Sequence, residues 1–207
     1  MSSYVVPARD AEAEIEVKRS RFVCTIARAD DEPAARAVVD RLRRRHWDAR
    51  HHCSAFVLGP DAAVERSSDD GEPAGTAGAP MLEVLRGAGV SDVVAVVTRW
   101  FGGTLLGAGG LVRAYGDAVR AGLVAAGTRR RSLVRELLLE VGHADAGRVE
   151  SELRNRGVAV LDTAYAAAVM LRLGVAPEDE PGLHALVAEL TGGASAAVAA
   201  GERWVDR

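Results

Sequence analysis

Between residues 67 and 116 the chain gathers the residue types from which an ion-binding or phosphate-binding site is made. Asp69, Asp70 and Glu72 enter a first glycine-rich loop, 71–78, and Arg99 and Arg113 flank a second, 102–110. Carboxylates on a flexible glycine turn suit a hard divalent cation such as Mg²⁺. The same residues can instead form Asx turns and cap a helix that opens near Thr76. In the second loop, Gly102, Gly103, Thr104, Gly109 and Gly110 lead from an apolar strand into a helix. Backbone amides at such a helix start can hold an anion, and glycine lets a phosphate approach. No Lys-Ser or Lys-Thr follows, so the loop is not a P-loop, and a tight turn with close helix–strand packing accounts for the glycines equally well. Arg99 and Arg113 can clamp a phosphate bidentately, or pair with Asp69, Asp70 and Glu72 and so tie the two loops together.

Further basic residues stand at Lys18, Arg19 and Arg21 and in the run Arg41, Arg43, Arg44 and Arg45. Trp100 and Tyr115 have rings able to stack on bases, although Tyr115 falls in phase with an apolar helix face. His51 and His52 are adjacent, so on a strand they point to opposite faces. No second His/Cys cluster completes a zinc site, and Cys53, among Ala and Phe, reads as a small core residue. The residues therefore assign no catalytic group, no metal and no cofactor, and the chemistry they favour is binding.

The elements that must position these residues follow from periodicity. Alternation over 14–29, rich in Val, Ile and Phe, predicts a strand. Acids before Pro33 start a helix that runs to about Trp47. Strand is predicted over 51–58 and, after the Gly59-Pro60-Asp61 turn, over 62–66. A helix is predicted over 76–85, and the β-branched run 93–98 marks a strand covered on both faces. Apolar residues from Leu111 to Val124 recur at helical spacing, and that helix ends at Gly127. The short polar run 128–132 divides the chain into residues 1–127 and 133–207. The second part reads strand, helix, strand, strand, helix, strand, the order of a ferredoxin-like βαββαβ unit.

Composition narrows the function classes. A hydrophobic content of 48% supports a packed core, and at 4% aromatic that core is mostly Val, Leu and Ala. The net charge of -3 excludes a generally basic nucleic-acid binder but leaves room for local patches. Residues 1–127 carry 16 Lys and Arg against 17 Asp and Glu, and residues 132–207 carry 7 against 12. The second part is thus a poor candidate for gripping a phosphate backbone. No apolar run reaches a bilayer-spanning length, no secretory leader is evident, and two isolated cysteines suit a reducing compartment. A cytoplasmic protein is expected.

Five ordered blocks carry a family resemblance: 18–22 (KRSRF), 52–55 (HCSA), 68–78 (SDDGEPAGTAG), 98–103 (TRWFGG) and 109–115 (GGLVRAY). The chain resembles the IMPACT family in its bacterial, YigZ-like branch. Trp100 and Ala74 stand where members more often have Tyr and Ser. The resemblance implies an α+β fold. Its N-terminal domain is similar to the second domain of a small-subunit ribosomal protein, a mixed sheet with helices, and its C-terminal domain to the ferredoxin-like end of elongation factor G. Eukaryotic members regulate translation. For bacterial members the resemblance implies association with RNA, the ribosome or translation factors, and it brings no established reaction. A small Mg-dependent enzyme binding a phosphate or nucleotide, and a protein–protein adaptor acting through the acidic second domain, are the alternatives.

Overall fold

The computed structural model describes residues 2–206. The chain forms two compact units, parted between Arg130 and Arg131.

In the first unit β2 (Ala11–Val17), β3 (Ser20–Arg28), β4 (His51–Leu58), β5 (Val64–Ser68) and β6 (Val93–Trp100) form a sheet in the order β2-β3-β6-β4-β5. A short strand, β1 (Ser3–Pro7), precedes them, and α1 (Glu32–Arg45), α2 (Gly78–Ala88) and α3 (Ala108–Ala126) complete the unit. The continuous strand expected over 14–29 is a hairpin. Val17 pairs with Ser20, and Lys18 and Arg19 form the two-residue turn. Both take positive φ, 48° and 65°, as a type I′ turn requires.

Every pair in this sheet is antiparallel, where a mixed sheet was expected. Parallel pairing among the described residues is limited to the isolated bridge of Val5 and Val90. The β6 run is nevertheless buried on both sides. Val94 and Val96 pack with Val38, Val39 and Leu42 of α1, while Val93, Ala95 and Val97 pack with Met81 and Leu85 of α2 and Leu111 and Val119 of α3. α1 begins where Asp31 accepts the Ala34 N–H at 2.7 Å, with Pro33 in its first turn. Helix α3 lies so close to the sheet that a Cβ on Gly122 would stand 2.8 Å from the Cys24 sulfur.

The second unit contains β7 (Thr128–Val141) from Arg131 onward, α4 (His143–Asn155), β8 (Ala159–Tyr165), β9 (Val169–Val175), α5 (Glu180–Thr191) and β10 (Ala197–Asp206). Its antiparallel strands stand in the order β10-β7-β9-β8, the ferredoxin-like arrangement. One face of the sheet packs Leu137, Leu139, Leu171 and Leu173 against Val149 and Leu153 of α4 and Leu183 and Val187 of α5. On β7, Glu136 is buried between Arg172 at 2.9 Å and Arg203 at 3.0 Å. Burial opposes its charge, but the two guanidinium groups outweigh that and lower its pKa.

Residues 128–132, expected as a linker, are instead strand, the start of β7. Extended polar residues can pair along a strand as readily as they can span open solvent.

Candidate functional site

The loop after β5 shows how its three carboxylates are used. Asp69 turns onto the start of α2, where it accepts the amides of Gly75 at 2.8 Å, Gly78 at 2.8 Å and Ala77 at 3.0 Å. Burial disfavours its charge, yet these three bonds prevail and its pKa falls. Asp70, at φ 42°, accepts the His52 N–H at 2.7 Å and a guanidinium N–H of Arg43 at 2.7 Å. Glu72 is buried and accepts both Arg99, at 2.6 Å, and the Tyr115 hydroxyl, at 2.7 Å. The three groups diverge. Each serves a different part of the fold, and among the described residues no set of His, Cys, Asp and Glu is gathered to hold a metal ion.

Arg99 lies inside the unit, on the β6 face turned toward α2 and α3. Besides Glu72 it reaches the Ser20 hydroxyl at 3.3 Å, and its guanidinium stands 5.3 Å from the Phe22 ring centre. The network continues through Tyr115 to the Cys53 thiol, 3.3 Å away. Burial pushes that thiol up to about 12, and burial likewise raises Tyr115 and Cys24. These groups stay protonated at neutral pH, so the network is a structural one. Neither Ser20 nor the Tyr115 hydroxyl was expected here. Sequence periodicity identifies a buried position but not the partner waiting there.

The expected clamp of Arg99 with Arg113 does not form, because the two point to different places. Arg113 is exposed on α3. It lines an open groove of about 890 Å³ between α2 and α3, together with Gly75, Ala79, Pro80, Val84 and Gly116. Gly109 and Gly110 occupy the first turn of α3.

Other candidates do come together. Gly102 lies so tightly against the hairpin turn that a Cβ would fall 2.0 Å from both the carbonyl carbon and the carbonyl oxygen of Arg19. Its N–H donates to the Ser20 hydroxyl at 3.2 Å, and Arg19 donates to the Thr104 hydroxyl at 3.0 Å. The Lys18–Arg19 turn and the loop 101–107 thus form one surface, on which Lys18, Arg19 and Gly103 are exposed and Thr104 half-buried. Phe101 (50% exposed) and Leu105 (83%) project from the same loop. Arg21 stands opposite Trp100 in the sheet and holds its guanidinium 4.6 Å from the ring centre. It also pairs with Glu14 at 2.9 Å. α3 starts from this loop at Gly107, and among the described residues no side chain caps it.

Residues 18–123 match the model of the Impact N-terminal domain, and residues 139–194 match a domain of unknown function, DUF1949. The IMPACT family member YvyE of Bacillus subtilis is 38% identical over 195 residues, 94% of this chain and 90% of the relative. The IMPACT family member YigZ of Escherichia coli is 42% identical over 177 residues, 84% and 87% of the two chains. The Protein IMPACT homolog of Saccharomyces cerevisiae is 37% identical over 93 residues, 42% and 35% of the two chains. A solved crystal structure, described as that of a hypothetical protein, superposes with a TM-score of 0.66 at 39% identity, covering 97% of this chain and 98% of the other.

Proposed function

The chain belongs to the IMPACT family, and from that membership and the geometry of its first unit we propose that it is a cytoplasmic binding protein that contacts RNA in the translation machinery. The carrying observation is the seating of Gly102 against Arg19. It locks a basic turn and a glycine loop into one exposed surface. Lys18 and Arg19 supply cations for phosphates, and the uncapped start of α3 supplies amide dipoles nearby. Phe101 and Trp100 add rings beside these charges. The acidic loop supports binding over metal-assisted catalysis, because Asp69, Asp70 and Glu72 are each spent on protein partners. Regulation of translation would follow from occupancy of this surface and needs no reaction.

The test is filter binding of RNA and co-sedimentation with ribosomes, at about 50 mM and about 200 mM salt, since phosphate contacts release counterions and weaken steeply over that range. Association at low salt that is lost at high salt, and weakened by the double replacement Lys18→Glu and Arg19→Glu, is the expected result. Wild-type protein that binds neither RNA nor ribosomes at low salt overturns the reading.

A further inference from the structure

We propose that the turn following α1 is a base-stacking site for single-stranded RNA, with Trp47 as its platform and Arg44 and Arg50 as its phosphate contacts. The inference rests on the RNA-binding reading above and names the form of RNA that is bound.

Trp47 is 83% exposed, yet the backbone that carries it is fixed. The His46 N–H closes α1 onto the Leu42 carbonyl at 2.9 Å, and the Ala49 N–H closes the next turn onto the His46 carbonyl at 2.9 Å. The two residues that flank Trp47 are both held by Trp100. The His46 imidazole meets the Trp100 ring edge-on at 5.3 Å, and the Asp48 carboxylate accepts its indole N–H at 2.8 Å. An indole projecting from so well-anchored a turn loses little freedom when a base stacks on it, which is how rigid aromatic residues contribute to binding.

The basic run of α1 resolves into two classes. Arg36, Arg43 and Arg45 are neutralised by Glu32, Asp70 and Glu12. Arg41, Arg44 and Arg50 are exposed, and none of them has a carboxylate partner among the described residues; of the three, Arg44 and Arg50 stand nearest Trp47 in the chain. Arg44 lies opposite the helix face that buries Val38 and Leu42, and Arg50 stands immediately before β4. Two free cations therefore flank one exposed ring in the chain. The patch is continuous with the hairpin surface, because Trp100 touches His46 and Asp48 while Arg21 lies over its ring. A strand running from the Lys18–Arg19 turn past Trp100 would reach Trp47. Stacking on a protruding ring requires bases that are not already paired and stacked, which selects single strands over duplex.

The experiment measures anisotropy of fluorescein-labelled rU12 and of a 12-base-pair RNA duplex at low salt, with melting curves for each variant. Wild type is expected to prefer rU12. Trp47→Ala should weaken that binding about tenfold or more, Trp47→Phe should retain most of it, and neither should shift the melting temperature appreciably, since the residue is 83% exposed. Joint replacement of Arg44 and Arg50 by Gln should lower the slope of log K against log salt by about 1.4, roughly 0.7 for each lost phosphate contact. If wild type binds rU12 and Trp47→Ala binds it equally well, or if duplex binds as tightly as rU12, the stacking site is overturned while RNA binding stands. If wild type binds no RNA, the broader reading falls with it.

Discussion

Arg99 and Glu72 make a 2.6 Å ion pair with only 7% and 4% of their side chains exposed. This contact joins β6 to the loop ahead of α2, and Tyr115 of α3 completes it through the same carboxylate oxygen. A desolvated pair of this kind adds little net stability over well-packed apolar side chains, but breaking it leaves a charge stranded. Glu72→Ala and Arg99→Ala should each cost about 3–5 kcal/mol by denaturant unfolding. The double replacement should cost much less than the two added together. Additive losses would mean that the charges do not depend on one another.

Gly102 offers a sharper contrast. The atoms its Cβ would strike belong to the backbone of Arg19 and Ser20, so no rotamer change relieves the clash. Gly102→Ala should destabilise the first unit by about 1–3 kcal/mol and displace the hairpin tip. Gly109→Ala is the control. It has open space around it in the first turn of α3, and alanine there should be neutral or slightly stabilising. Equal behaviour of the two variants in thermal melts would contradict the packing account.

His52 is buried on β4. Burial pushes its imidazole below the ordinary value, against the attraction of Asp70 and the bond to the His46 backbone, with Arg43 and His46 adding repulsion. A depressed histidine is neutral in the fold but charges in the unfolded chain once the pH drops below about 6.5. Its contribution to stability is therefore complete above that pH and is lost as the pH falls from there toward the folded value. The melting temperature should drop between pH 7 and pH 5, and His52→Gln should shrink that drop. A drop of undiminished size in the variant would assign the dependence to other groups.

Much of this architecture is legible in the residues, and the gaps have physical causes. Asp31 before Pro33 announces α1, because a carboxylate that caps the adjacent helix turn needs no distant partner, whereas Asp69 reaches the amides of Ala77 and Gly78 from eight and nine residues away, beyond that local rule. The β6 run states its two-sided burial but not its pairing direction, since helices on both faces bury an antiparallel strand as fully as a parallel one. The hairpin at Lys18 and Arg19 was hidden because neither residue is a turn former. Its only trace is the break in alternation between Arg19 and Phe22. The partners of Arg99, and the anchoring of Trp47 by its neighbours, lie across the chain, where periodicity has no reach. Of the candidate site, the basic and glycine residues were visible singly. Their division among a buried pair, an exposed surface and a helix groove came only with the fold.

That hidden turn supplies a test that separates stability from binding. Lys18 and Arg19 both hold positive φ, a conformation that costs an ordinary residue roughly 1–2 kcal/mol and that Asn-Gly adopts readily. If the turn were selected for the fold alone, Asn-Gly would be the better pair. Replacing Lys18→Asn and Arg19→Gly together should raise the melting temperature. It should also remove the Arg19–Thr104 bond and both exposed cations, and so weaken RNA binding and flatten its salt dependence. Opposite movement of the two quantities means that the chain tolerates local strain to keep charge at the hairpin tip, as functional sites do. A variant that is more stable and binds RNA with unchanged affinity and salt slope would show that the tip takes no part in recognition.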